Sequence, residues 1–211
     1  GFVVAGSAGL DYTGIALATG DFDGDGLVDV ACAGKPPGSW SFIEIFRGDG
    51  DGGLTLLSRA EPRRDVLAEI AALDQDGDGD LDLLSSDIGQ TVGIHMNTGD
   101  GHFETTLREF GCCDGPGLGG ADMDLDGRPE VFVGDSRGSA NLDLSIVQFE
   151  ATADPLLEHP RTYSYLHCWY CHDFAPPQRY LGADLDGDAW PELIVVAPDG
   201  PGYRVGDGRI G

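Results

Sequence analysis

Methionine occurs only twice in the 211 residues, cysteine five times, and lysine and arginine together only twelve times. Twelve basic groups against 37 acidic ones give a net charge of −25. That balance excludes nucleic-acid binding by phosphate neutralisation. No apolar run approaches the roughly 20 residues of a membrane-spanning helix. The longest, such as Leu193-Ile194-Val195-Val196-Ala197, suit short buried strands. No Ser-His-Asp order, Walker-type loop or paired general acid and base stands out, so no catalytic role is expected. Hydrophobic residues at 41% are ordinary for a globular chain and argue against wholesale disorder.

What the chain does have is clustered acid. Nearly half of its carboxylates lie in DFDGDGLVD (21–29), DQDGDGDLD (74–82), DMDLDGRPE (122–130) and DLDGDAWPE (184–192). Each cluster places a carboxylate at positions 1, 3, 5 and 9. Groups this close repel unless a cation sits among them, and hard oxygen donors at alternating positions suit Ca²⁺. Position 7, occupied by Leu27, Asp80, Arg128 and Trp190, would donate a backbone carbonyl, which explains its freedom in residue type. An EF-hand also begins D-x-D-x-D-G but needs a glutamate at position 12. Here position 12 is Cys32, Ser85, Val133 and Val195, so that motif is excluded.

The surroundings of each loop repeat as well. Small-residue strands precede the loops (Ile15–Ala18, Ala68–Ala71, Leu118–Ala121, Tyr180–Ala183), and apolar β-rich runs follow them. Further strands, Ser41–Phe46 and Thr91–Met96, lead into Gly-Asp-Gly turns at Gly48–Gly50 and Gly99–Gly101, with another such turn at Gly206–Gly208. Phe103–Leu107 closes its unit. Loop starts are spaced by 53, 48 and 62 residues. Four-stranded units at this period predict an all-β propeller.

The loops, with Asn97-Thr98-Gly99-Asp100-Gly101-His102-Phe103, resemble the FG-GAP/VCBS repeats of integrin-α-type calcium-binding β-propellers. The resemblance covers essentially the whole chain and implies one Ca²⁺ per loop, up to four. The implied side-chain ligands are Asp21, Asp23, Asp25 and Asp29; Asp74, Asp76, Asp78 and Asp82; Asp122, Asp124, Asp126 and Glu130; and Asp184, Asp186, Asp188 and Glu192. Four bound ions would take the net charge from −25 to −17. The fourth loop departs from the pattern with Ala189 in place of glycine, and the third unit lacks the Gly-Asp-Gly turn.

The expected organisation is one propeller domain over 1–211, with repeats at about 11–60, 61–110, 111–160 and 161–211 and an insertion around 160–178. The N-terminal Gly1–Gly6 strand has the register of a missing outer strand, since Phe2 precedes Asp21 by 19 residues, as Phe103 precedes Asp122. It would complete the last of four blades in a closed ring. Head-to-tail donation of that strand between copies, or a piece of a longer propeller, would have the same signature.

The insertion contains Leu166-His167-Cys168-Trp169-Tyr170-Cys171-His172 within the densest aromatic stretch of the chain. C-x-x-C-H is the attachment motif of a c-type haem, with thioethers at Cys168 and Cys171 and His172 as axial ligand. The distal ligand would then come from His167, His159, His95, His102, Met96 or Met123. A disulfide loop, or a zinc site completed by His167 or His159, fits the same residues. The remaining cysteines, Cys32, Cys112 and Cys113, leave the pairing open.

Two functions of different classes are consistent with these features. One is a secreted module, extracellular, on the cell surface or periplasmic, that recognises a protein, a glycan or copies of itself. The other is an electron-transfer protein carrying one covalent haem.

Overall fold

A computed structural model describes residues 13–61, 67–87, 91–109, 117–135, 143–150, 158–167, 179–196 and 203–207. Among these residues there are strands and turns and no helix. The strands form successive antiparallel meanders. The first is β1 (Thr13–Gly20), β2 (Asp29–Lys35), β3 (Phe42–Gly48) and β4 (Leu54–Ala60). The second is β5 (Leu67–Leu73), β6 (Asp82–Asp87), β7 (Thr91–Asn97) and β8 (Phe103–Glu109).

The third meander is β9 (Leu118–Ala121), β10 (Glu130–Asp135), β11 (Asp143–Glu150) and β12 (Glu158–His167), and the last is β13 (Arg179–Ala183), β14 (Glu192–Val196) and β15 (Tyr203–Asp207). These two join into one seven-stranded sheet because β9 and β13 pair in parallel. That approach needs Gly182, where an added Cβ would collide with the Cβ of Ala121.

The first strands of successive meanders, β1, β5, β9 and β13, lie side by side. Their small residues leave a cavity of about 270 Å³ lined by Leu17, Ala18, Thr19, Glu69–Ala72 and Leu118–Gly120. Every acidic loop joins the first strand of a meander to its second, so all four loops occupy the same relative place in their sheets.

Apolar burial is divided among the seams between meanders. Ala16, Phe22, Ala31, Ala33, Ile43 and Ile45 of the first pack with Leu67, Ile70 and Leu83 of the second. Leu73, Leu84, Val92 and Ile94 of the second pack with Leu118, Val131 and Val133 of the third. Met123 and Phe132 of the third meet Leu193 of the fourth. A strand sandwiched between two seams buries both faces, which is why β6 is buried at every position and reads as a continuous rather than alternating run.

Residues 160–167, which the spacing places in an insertion, form most of β12, a ten-residue strand paired with β11. Hydrogen bonding to a neighbouring strand makes this stretch part of a sheet despite its distance from the acidic loops. The Gly1–Gly6 strand and its proposed place in the last meander lie outside the described residues, as do Cys112, Cys113, Cys168, Cys171 and His172. Cys32 is buried in β2.

Candidate metal centres

Each acidic loop is shaped by its own first aspartate. One carboxylate oxygen at position 1 accepts the position 6 N–H in all four: Gly26 to Asp21 at 2.8 Å, and Gly79 to Asp74, Gly127 to Asp122 and Ala189 to Asp184 at 3.0 Å. The other oxygen accepts from position 4 or 5, as Asp25 N does to Asp21 and Gly77 N to Asp74. The aspartate at position 5 accepts the N–H of position 7, so Leu27, Asp80, Arg128 and Trp190 each donate at 2.9–3.0 Å. These turns tie down the backbone N–H groups and leave further carboxylate lone pairs facing one another.

The tight curl needs left-handed backbone at positions 4 and 6. Gly24, Gly26, Gly77 and Gly79 supply it in the first two loops. Leu125, at position 4 of the third loop, holds φ 61°, and Ala189, at position 6 of the fourth, holds φ 73°. They are the sole non-glycine residues with positive φ among the described residues. The missing glycine at 189 is visible in the motif; Leu125 is the second such position, readable only once position 4 is known to need the same conformation.

Three carboxylates converge in every loop with oxygens within 4.8 Å of one another: Asp21, Asp23 and Asp29; Asp74, Asp76 and Asp78; Asp122, Asp124 and Glu130; Asp184, Asp186 and Asp188. Two oxygens on opposite sides of a Ca²⁺ ion at about 2.4 Å each are separated by about that distance. The electrostatics agree with a cation among them. Burial, with Asp76 and Asp78 nearby, pushes the Asp82 carboxyl up to about 6. Burial also pushes Glu130 up to about 7, with Asp124 and Asp122 adding to it. Acids held in this way favour either a proton or a metal ion.

Position 9 does more than face the loop. Asp29 is fully buried, and its two oxygens accept Phe22 N at 2.9 Å and Gly48 N at 2.8 Å. Asp82 repeats this with Gln75 N at 2.8 Å and Asn97 N at 2.7 Å. Glu130 accepts Met123 N, and Glu192 accepts Leu185 N. The ninth carboxylate therefore pins the start of its loop, and in the first two meanders it also pins the end of the third strand. The D-x-D-x-D-G spacing does not reveal this role, because the second partner is 15–19 residues away.

Adjacent loops are also linked. The Asn97 side-chain N–H₂ donates to Phe22 O of the first loop at 2.8 Å and to Leu81 O of the second at 3.0 Å. Its Oδ1 accepts Gly99 N and Gly101 N, which closes the Gly-Asp-Gly turn. Phe22 and Phe103 meet edge to face at 6.1 Å. In the first loop an arginine reaches the acids: Arg47 of β3 lies 3.0 Å from Asp23 and 2.6 Å from Asp25.

One arrangement escaped the sequence. His95 is fully buried between Ser85 Oγ at its Nε2 and Thr105 Oγ1 at its Nδ1, each at 2.9 Å. Ser85 and His95 are sealed inside the second meander, with Ser85 1% exposed, while Thr105 lies on its exposed side. Its signal was cross-strand: Gly93 pairs with Ser85 and leaves the room that Ser85 Oγ and His95 fill.

The FG-GAP-like repeat family model matches residues 21–85 and 74–133, the two segments together covering just over half of the chain. Each match begins on the first aspartate of a loop, and the second runs through the third loop; the fourth loop lies outside both. With its acidic loops and meander sheets, the chain belongs to the FG-GAP-like repeat family.

Proposed function

We propose that this chain is an extracellular or periplasmic β-propeller module in which Ca²⁺ in each acidic loop stiffens the blades. The observation that carries the reading is the convergence of three carboxylates at the same place in all four meanders. Ligands are the carboxylates at positions 1, 3, 5 and 9, with the carbonyls of Leu27, Asp80, Arg128 and Trp190. The ring is four-bladed, completed by the N-terminal strand. It is a rigid platform without catalytic function, whose partner is a protein, a glycan or a second copy of the chain. A net charge of −25 keeps nucleic acid away. Among the described residues no helix is long and apolar enough to cross a membrane.

Calcium removal tests the reading. Any ligand that binds only the folded state stabilises it by about 2.7 kcal/mol per site at roughly 100-fold excess over Kd. Thermal unfolding with calcium and with a chelator should differ by several degrees, and metal analysis should find up to four calcium ions per chain. An unchanged Tm on chelation ends the proposal.

A second reading rests on Cys168-x-x-Cys171-His172. There the propeller carries one covalent haem c and transfers electrons. A Soret band with a sharp reduced α-band that survives denaturation supports it; a colourless protein with the mass of the bare chain refutes it.

A further inference from the structure

The four loops are not alike in charge, and the difference lies outside the loops themselves. Strand register aligns Val30 with Phe46, Leu83 with His95, Val131 with Phe149 and Leu193 with Val205. In the first three meanders the next residue along the partner strand, Arg47, Met96 or Glu150, therefore holds the place opposite position 9 of the loop, and in the fourth a register shift puts Asp207 opposite Glu192. Only the first meander puts a cation there.

Arg47 uses it on the loop. Its Nε lies 3.0 Å from an oxygen of Asp23 and 3.0 Å from one of Asp25, and its Nη2 lies 2.6 Å from the same Asp25 oxygen. Asp25 stands outside the converging group of the first loop, as Asp126 does in the third, whereas Asp78 belongs to that of the second. The Arg47 side chain is half exposed, so it can swing into solvent without opening a cavity.

We propose that Arg47 is a resident counter-cation that competes with Ca²⁺ for Asp23 and Asp25, making the first loop the weaker of the first two and the later to fill. It rests on the calcium reading above. An entering ion must displace a charge-assisted contact from two ligands and tolerate a guanidinium beside it. When calcium is scarce, the arginine keeps the first loop neutralised.

The test is a calcium titration of the whole chain at fixed ionic strength, followed by calorimetry and by the amide resonances of Gly26 and Gly79. These amides sit at position 6 of the first and second loops. In the wild type, Gly26 should reach its midpoint at higher calcium than Gly79. In Arg47→Met, the residue type of the second meander, the Gly26 midpoint should fall by roughly tenfold or more, with Gly79 unmoved. Arg47→Gln, which keeps a polar side chain, should shift it in the same direction. Equal midpoints in the wild type, or a Gly26 midpoint unmoved in both variants, overturns the role of Arg47 and leaves calcium binding intact. No response at either amide and no heat in any variant overturns the calcium reading itself.

Discussion

Asp29→Ala separates what the ninth carboxylate does for the fold from what it does for a metal. In the folded chain the fully buried Asp29 satisfies two N–H groups, those of the buried Phe22 and Gly48. Alanine leaves both donors without an acceptor, and a buried unsatisfied group costs about 1–3 kcal/mol. The substitution also removes the carboxylate's own desolvation cost, which offsets part of the loss. The net destabilisation is therefore ~2–3 kcal/mol, or ~4–12 °C in Tm for a chain of this size. The assay is thermal or urea unfolding by far-UV circular dichroism, run in excess chelator so that no metal contributes. Asp25→Ala is the control, since it removes an acid from the same loop whose partners, Leu27 N and the Arg47 guanidinium, are exposed and can turn to water. In chelator Asp25→Ala should unfold with the wild type, while Asp29→Ala unfolds earlier. If the two variants unfold together in chelator, the ninth carboxylate is only a ligand and the pinning role is wrong.

Two further outcomes follow from the geometry. Burial lowers the His95 pKa from 6.5 to about 4, so on acidification the unfolded chain takes up this proton first. Its contribution is intact above about pH 6.5 and is lost progressively toward about pH 4, by ~3 kcal/mol in all. Urea melts in chelator at pH 7 and pH 4.5 should show a steeper loss for the wild type than for His95→Gln; parallel losses would remove His95 as the cause. Leu125→Gly and Ala189→Gly each relieve a left-handed residue and should raise stability by ~0.5–1 kcal/mol, whereas Gly26→Ala should lower it. A drop in Tm for both glycine variants would show that these positions are not strained.

The sequence carried the local pattern well because the physics there is local. Loop positions 1, 3 and 5 shape the backbone within nine residues, so their spacing alone locates the turns. The flanking strands β1, β5, β9 and β13 follow from short small-residue runs bounded by those loops. Elements that depend on distant partners were not legible. Asp29 owes half of its role to Gly48, Asn97 bridges to Phe22 across 75 residues, and Arg47 meets Asp25 only through the β2–β3 pairing. Loop spacing measures chain length and is blind to whether the extra residues pair, so it places 160–167 in an insertion without revealing that they form most of β12. Ser85 and His95 were missed for the same reason, since their contact is diagonal across two strands.

The division of apolar residues among seams sets the smallest piece that can stand alone. Ile43 and Leu83 come from different repeats yet share one cluster, as do Ile94 and Val131. A single excised repeat would present both bare faces to water, whereas two consecutive repeats retain one complete seam between them. Growth by copying a repeat then supplies its own mating surface with each added unit. Such a lineage can change length in whole steps while the packing rules at every junction stay the same.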